Sequence, residues 1–305
     1  MNRHISQLGR DQLHREPAGG GASMTRYKLL ALDVDGTLVG LDSRVGPPLV
    51  EALRRAQDAG LRVCLATGRS YIETIGVWRQ LGLPGPWEPL VLVGGALVSE
   101  PDTGRTLYHK PIGRALAQEF AEALGRAGLA SMAIVDAWRH GIDYLLVETG
   151  DVHEALAKWF SKMNVKVRRV GRLDEDGSLP PPLRISAVVE PAAGARLADQ
   201  LAQQFDQRLN VHSILAPNYG VTIVEAFAQG ASKQSGLLYV AQGRGIAPRD
   251  VVAVGDDVND LPMVRWAGLG AAMGHGQAAL RESAKHIVKG DLACFVDRVL
   301  TGQFD

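Results

Sequence analysis

The sequence predicts an α/β protein: a doubly wound parallel sheet, with an α+β module inserted between its two halves. Three observations carry that prediction. Short apolar, β-branched runs at 30–38, 63–70, 90–98 and 251–260 each end abruptly in Gly, Thr or Asp. Helical spacing fills the gaps between the first of them, and a βαβαβ succession with right-handed crossovers resolves most naturally into a parallel sheet. After about residue 112 the rhythm changes to adjacent strands with fewer helices between them, as an α+β module requires.

Taken in order, LALDVDGTL (30–38) reads as a buried strand running into a turn. PPLVEALRRAQDAG (47–60) has helical apolar spacing, a Pro-rich start and Gly60 as a stop. A strand at 61–66, a helix near 70–81 and a strand at 90–93 complete the first core half. The insertion then reads as a helix at 113–128, strands at 131–138 and 142–148, and a helix at 151–163 with Asp151 as its N-cap. A strand at 164–170, a Gly/Pro-rich link at 171–182, a strand at 183–190 and a helix at 192–208 follow. A strand pair at 210–215 and 219–227 completes the inserted succession of elements, and a helix at 232–243 and a strand at 251–254 resume the core. The expected division is a polar leader at 1–25, core at 26–111, insertion at 112–209 and core again at 210–305. The insertion should be a mostly antiparallel sheet with helices on one face.

Composition narrows the function classes. With 305 residues, 46% apolar, the chain is long enough for two domains. Its 33 basic and 33 acidic side chains cancel, which gives no support to a polyanion-binding surface, so nucleic acid is not expected as a partner. No run of 18 apolar residues is present, so no membrane span is expected. Cys64 and Cys294 match no metal or redox spacing, and Cys64, inside a strand, reads as a buried thiol. A cytoplasmic enzyme fits these features. The leader has a GGG run at 19–21 and lacks the apolar stretch of a secretory signal.

The strand ends carry the chemistry. Asp33 and Asp35 close the first strand with Gly36 and Thr37 directly behind; Thr67, Gly68 and Arg69 close the second. Gly255, Asp256 and Asp257 close the strand at 251–254, with Asn259 and Asp260 just beyond. In an open parallel sheet, ligands bind outside the carboxyl ends of the strands, so these groups should meet on one edge. An uncompensated carboxylate there costs several kcal/mol or takes up a proton. A divalent cation removes that cost, and oxygen-only ligands favour Mg²⁺. Alternation along a regular strand would turn Asp33 and Asp35 to the same side. A GxGxxG at the first strand–helix turn is missing, which excludes the dinucleotide-binding dehydrogenase reading.

These residues are where the chain resembles the haloacid dehalogenase-like superfamily of phosphohydrolases, and within it the Cof-type group with a subclass IIB cap. DVDGT (33–37) resembles the first family motif, ATGR (66–69) the second, Lys233 in GASKQSGLL (230–238) the third and GDDVND (255–260) the fourth. The order is the family's order, and the likeness runs from Tyr27 to Val288. The resemblance implies a Rossmann-like core with an α+β cap between the second and third motifs. It implies a Mg²⁺-dependent phosphomonoester hydrolase acting on a small phosphorylated metabolite through an aspartyl-phosphate. A sugar phosphate is the leading substrate class, with nucleotide-like and pyridoxal phosphates behind it.

Matched residue by residue, Asp33 takes the nucleophile's place and Asp35 that of the general acid and base. Thr67 and Lys233 complete the catalytic set, and Gly36, Thr67, Gly68, Lys233 and Asn259 would meet the phosphoryl group. Asp33, the Asp35 backbone carbonyl and Asp256 would hold the metal, with Asp260 beside them. Three departures stand out: Gln234 and Ser235 precede Gly236 where the family has Gly directly after the Lys. Gly94 stands where the family commonly has Asn, and His275 stands where it commonly has Asn after AMG. In the inserted module His109, Trp138, Arg139, His140, Arg184, Asn218 and Tyr219 are candidates to meet the leaving group, while Trp159 and Phe160 read as its core. Two other functions share the motifs: a sugar phosphomutase-type phosphotransferase, and a non-catalytic phospholigand-binding protein.

Overall fold

The computed structural model describes residues 25–175, 177–216 and 219–305. All of the expected leader except Thr25, and the candidate Asn218, lie outside the described residues. The chain divides into two compact units, the first running to Tyr108 and resuming at Ser232–Asp305, the second spanning His109–Ala231.

The first unit opens with β1 (Leu29–Leu32), α1 (Pro47–Asp58), β2 (Arg62–Leu65) and α2 (Tyr71–Leu81). β3 (Leu90–Leu92), β4 (Leu97–Ser99) and β5 (Thr106–His109) follow. The second unit contributes α3 (Arg114–Arg126), β6 (Ser131–Ile134), α4 (Ala137–His140), β7 (Tyr144–Val147) and α5 (Glu154–Lys162). It continues with β8 (Val167–Val170), β9 (Arg184–Val189), α6 (Pro191–Gln204), β10 (Leu209–Ala216) and β11 (Val221–Ala228). The chain then returns with α7 (Lys233–Gly243), β12 (Val251–Gly255), α8 (Leu261–Trp266) and β13 (Leu269–Met273). α9 (Ala278–Ser283), β14 (His286–Val288) and α10 (Leu292–Leu300) end it.

In the first unit five strands lie in the order β14-β13-β12-β1-β2, every pairing parallel. β1 is central, with all four of its residues buried, which explains why it contains no polar residue. α1 starts at a proline and buries Leu49, Ala52, Leu53 and Ala56, one helical stripe. The core joins Leu29, Ala31 and Cys64 to Val251 and Ala253 and to Leu237 and Val240 of α7.

The third expected strand differs. The run at 90–98 breaks at a 3-10 turn, Val93–Gly95, and folds back as an antiparallel hairpin of β3 and β4. Ala66, the residue after β2, meets Val91 of β3 at an isolated parallel bridge. The reversal needs left-handed backbone, and Gly94 and Gly95 supply it with φ of 60° and 89°.

The second unit is a six-stranded sheet ordered β10-β11-β9-β6-β7-β8, antiparallel except for β7 and β8. The boundary expected at 209/210 moves to 231/232 because β11 pairs with β9 and β10 with β11, which keeps the strand pair in the insertion as its succession of elements implied. α3 and α6 pack Phe120 and Phe205 edge-on, 5.1 Å apart, within a core that includes Ala133, Leu145, Ile185 and Val224. α5 departs from the expected single helical face. Its Trp159 and Phe160 pack on Tyr144, whose side chain alternates away from that of Leu145. The N-cap of α5 is His153, whose Nδ1 accepts the Ala155 N–H at 3.1 Å, and not Asp151. Asp151 is tied by its backbone to Gly128 and Ala130 instead.

Candidate active site

The parallel order β12-β1-β2 sets three strand ends side by side, so Asp33, Thr67 and Asp256 leave the sheet on one edge. Asp33 follows the last residue of β1, and its N–H still bonds the Val254 carbonyl of β12 at 3.0 Å. Lys233, 200 residues further on, joins them from the start of α7. Its ammonium lies 2.6 Å from Asp33 Oδ1 and 2.6 Å from Asp260 Oδ1, with Asn259 Oδ1 at 3.4 Å. All three charged side chains are at most 5% exposed.

The departures around Lys233 have a local explanation. Ser232 caps α7, and Ser235 completes the capping box by accepting the Ser232 N–H at 3.0 Å. The helix therefore begins at Lys233 with Ser235 in place. Gly95 is needed beside it, since a Cβ there would fall 1.8 Å from the Ser232 carbonyl oxygen.

Asp260 does two things at once. Its Oδ2 accepts the backbone N–H groups of Asp256 and Asp257 at 3.0 and 3.1 Å, while Oδ1 faces Lys233. Asp257 caps the 3-10 turn Val258–Asp260, accepting the Val258 N–H at 2.6 Å. Asp256 is held by the Thr37 hydroxyl, which donates to its Oδ1 at 3.1 Å. Its carboxylate fills the space a side chain at residue 36 would need: a Cβ on Gly36, at φ +78°, would lie 2.2 Å from Asp256 Oδ2.

Asp35 behaves differently from the same-side expectation. The strand stops at Leu32, so period-two alternation no longer governs residues 33 and 35. Asp33 is buried, whereas the Asp35 side chain is 60% exposed and paired with Arg69. Arg69 donates Nε to Asp35 Oδ2 at 2.8 Å and Nη2 to Oδ1 at 2.5 Å. It is anchored in turn by Ser43 Oγ and the Glu73 carbonyl. This bidentate fork was not read from the sequence, although the Arg of ATGR, two residues past Thr67, was its signal. Thr67 is fully buried, and its hydroxyl accepts the Arg69 N–H at 3.1 Å. It does not cap α2; Ser70 does, in a capping box with Glu73. A Cβ on Gly68 would meet nothing within 4 Å, so the backbone there is open to an approaching group.

The electrostatics are unbalanced. Ligand atoms of Asp33, Asp256 and Asp260 lie within 4.8 Å of one another, and the Lys233 ammonium pairs with Asp33 and Asp260. Burial, helped by the Asp260 and Asp256 charges, pushes the Asp33 carboxyl well above the ordinary range even though Lys233 pulls it down. Burial and the Asp260 charge likewise raise Asp256. Burial opposes the Lys233 charge, but its two carboxylate partners outweigh that and raise it above the usual lysine value. A site with surplus negative charge and oxygen donors only is suited to a hard divalent cation. Asp33 and Asp256 suit it best, because both oxygens of Asp260 already have donors. The Asp35 carboxylate, on Arg69, is outside that group, which leaves its backbone carbonyl as the expected contributor.

Three of the second-unit candidates, His109, Arg139 and Arg184, are held by acidic partners. His109 Nδ1 and Arg139 Nε converge on the buried Asp136 at 3.0 and 3.1 Å. Arg184 meets Glu225 at 3.0 Å, and His212, not singled out in the sequence, reaches the same carboxylate at 2.9 Å. Trp138 and Tyr219 are 54% and 36% exposed. Cys64 is buried, its thiol pushed up by burial, and Cys294 is exposed. Among the described residues no helix is long and apolar enough to cross a membrane.

The family model of the haloacid dehalogenase-like hydrolases matches residues 30–291. The chain belongs to that family, as a phosphatase of its Cof-type group. It is 29% identical over 267 residues to the 5-amino-6-(5-phospho-D-ribitylamino)uracil phosphatase YitU of Bacillus subtilis, covering 85% of this chain and 91% of that one. It is 27% identical over 271 residues to the pyridoxal phosphate phosphatase YbhA of Escherichia coli, covering 87% and 93%. Among solved structures, the phosphatase BT1666 of Bacteroides thetaiotaomicron superposes with a TM-score of 0.70 at 19% identity, over 93% of this chain and 97% of that one. That last likeness concerns the fold.

Proposed function

We propose that this chain is a Mg²⁺-dependent phosphomonoester hydrolase that takes the phosphoryl group of a small metabolite onto Asp33. The observation that carries the reading is the buried ammonium of Lys233, shared at 2.6 Å between Asp33 and Asp260. Lysine is almost never fully buried without a partner, and here it sits against the carboxylate that would attack.

In this reading an Asp33 oxygen attacks phosphorus, forming an O–P bond as the ester O–P bond breaks. Asp35 gives its proton to the departing alcohol oxygen. Water then attacks the aspartyl-phosphate, Asp35 takes a proton from it, and inorganic phosphate leaves with Asp33 restored. Both Asp35 oxygens are held by Arg69, so Asp35 has to exchange Arg69 for the substrate before it can act. Lys233 offsets charge on Asp33 and the phosphoryl oxygens throughout. Asp33, Asp256 and the Asp35 carbonyl would hold the cation, which when bound neutralises phosphoryl charge. Asp260 positions Lys233 and the Asp256 backbone.

A phosphorylated sugar or sugar alcohol is the favoured substrate. Two relatives, at 29% and 27% identity, are named for a phosphoribityl substrate, and pyridoxal phosphate, the substrate of a third, is likewise a small phosphomonoester. The test is phosphate release from a panel of sugar, sugar-alcohol and pyridoxal phosphates by wild type and Asp33→Asn. Wild type should release phosphate, and the variant should lose about 10³-fold or more while keeping its fold. Turnover retained by Asp33→Asn would refute the nucleophile, and an isomerised sugar phosphate without free phosphate would make the chain a phosphotransferase.

A further inference from the structure

His275 is the one departure from the family pattern that touches the loop carrying Asp33 and Asp35. Its Nε2 lies 2.7 Å from the Gly36 carbonyl oxygen. A carbonyl oxygen can only accept, so Nε2 carries the hydrogen. The turn at 274–277 that bears this imidazole also holds the other acidic loop, because the Gln277 N–H donates to the Asp256 carbonyl at 2.7 Å. The turn is fixed from behind, with the Gly274 N–H on the Val288 carbonyl of β14 at 2.9 Å and the Gly276 N–H on Met273 at 2.9 Å. One short turn after β13 therefore grips the loop after β1 and the loop after β12 together.

The grip falls at a sensitive point. Gly36 has left-handed backbone, and its N–H is already committed to the Val39 carbonyl at 2.9 Å. With its carbonyl on His275, both backbone groups of that glycine are fixed. The peptide plane from Gly36 to Thr37 is rigid, so anchoring its carbonyl also sets the start of Thr37. Thr37 is the residue whose hydroxyl orients Asp256. The chain of contacts thus runs from imidazole to peptide, from peptide to hydroxyl, and from hydroxyl to carboxylate.

We propose that His275 is a positioning residue that locks the Asp35–Thr37 turn against the Asp256 loop. It thereby sets the spacing of Asp33 and Asp256 for the cation and the phosphoryl group. This rests on the reading of the site as a cation-assisted phosphatase. His275 is exposed and touches no reacting atom, so its effect is on geometry. Small displacements of reacting groups carry large rate penalties, which is how a surface hydrogen bond can matter here.

The test compares His275→Ala with His275→Gln, whose Nε2 can occupy the place of the imidazole donor. In His275→Ala, kcat should fall about tenfold with KM within about twofold, because the ground-state contacts are kept. Mg²⁺ affinity measured calorimetrically should weaken about fivefold, with Tm nearly unchanged. His275→Gln should restore most of both. Hydrogen exchange across residues 33–39 should speed up in the Ala variant and not in the Gln variant. Wild-type kcat, Mg²⁺ affinity and exchange in His275→Ala would overturn the proposal, as would a loss that Gln fails to rescue. If wild type releases no phosphate, the functional reading fails while the exchange measurement still decides whether His275 locks the loop.

Discussion

Replacing Lys233 with methionine removes the ammonium set between Asp33 and Asp260 and keeps much of the side-chain volume. Each 2.6 Å contact is worth about 6 kcal/mol of Coulomb attraction at an effective dielectric near 20, before desolvation is subtracted. Removing one partner of a buried ion pair costs about 3–5 kcal/mol, because the remaining charge is stranded. Lys233→Met should lose that much stability at about pH 8, read from the urea midpoint in the presence of EDTA. The pH dependence has a definite sign. Burial and neighbouring carboxyls already hold Asp33 above its ordinary 3.8, and removing the ammonium raises it further. A raised carboxyl pKa leaves its contribution intact below the unfolded value and loses it as pH rises through the folded value. The gap between variant and wild type should therefore narrow as the pH is lowered from about 8 to about 5. Turnover should fall by about 10²–10³-fold at saturating substrate. A variant within about 1 kcal/mol of wild type at pH 8, with a gap that does not change with pH, would refute the reasoning.

Other outcomes follow from the same geometry. Gly36→Ala places a Cβ 2.2 Å from Asp256 Oδ2 at φ +78°, so Mg²⁺ titration should show affinity weakened about tenfold, with about 1–2 kcal/mol lost on denaturation; unchanged Mg²⁺ affinity would count against Asp256 as a ligand. EDTA should stop phosphate release and Mg²⁺ restore it, and full turnover by metal-free protein would reject the cation's role. His286 is stacked on Phe295, its centroid 5.5 Å away, and its pKa is lowered from 6.5 by burial and then by Arg298 and Lys289. Its contribution to stability is present above the unfolded value and lost as pH falls through the folded one. Wild type should therefore lose more stability than His286→Gln between about pH 7.5 and 5, and parallel losses would show that His286 is not responsible.

Much of the site could be read from the chain because its groups sit at strand ends, where the sequence marks the change from apolar to acidic within a few residues. Asp33, Thr67 and Asp256 are announced in that way, and parallel pairing brings them to one edge. Asp260 was legible as an acid near the site, but not as the residue that both seats Lys233 and holds two backbone N–H groups. Asp35 was legible as an acid and not as Arg69's partner, because the strand ends before it and alternation stops applying. The run at 90–98 looked like one strand, since local apolarity does not distinguish a continuing strand from a hairpin reversed at Gly94 and Gly95.

The alternation of elements, the inventory of carboxylates, hydroxyl and lysine, and the order in which they arrive are all legible along the chain. These depend on residues close together in the chain, where spacing and side-chain type are sufficient. The folded chain adds that Lys233 lies buried between Asp33 and Asp260, that β11 takes its place beside β9, and that His275 reaches Gly36. Those are pairings across tens to hundreds of residues. They are fixed by which surfaces pack and which charges find partners, and no local preference encodes them.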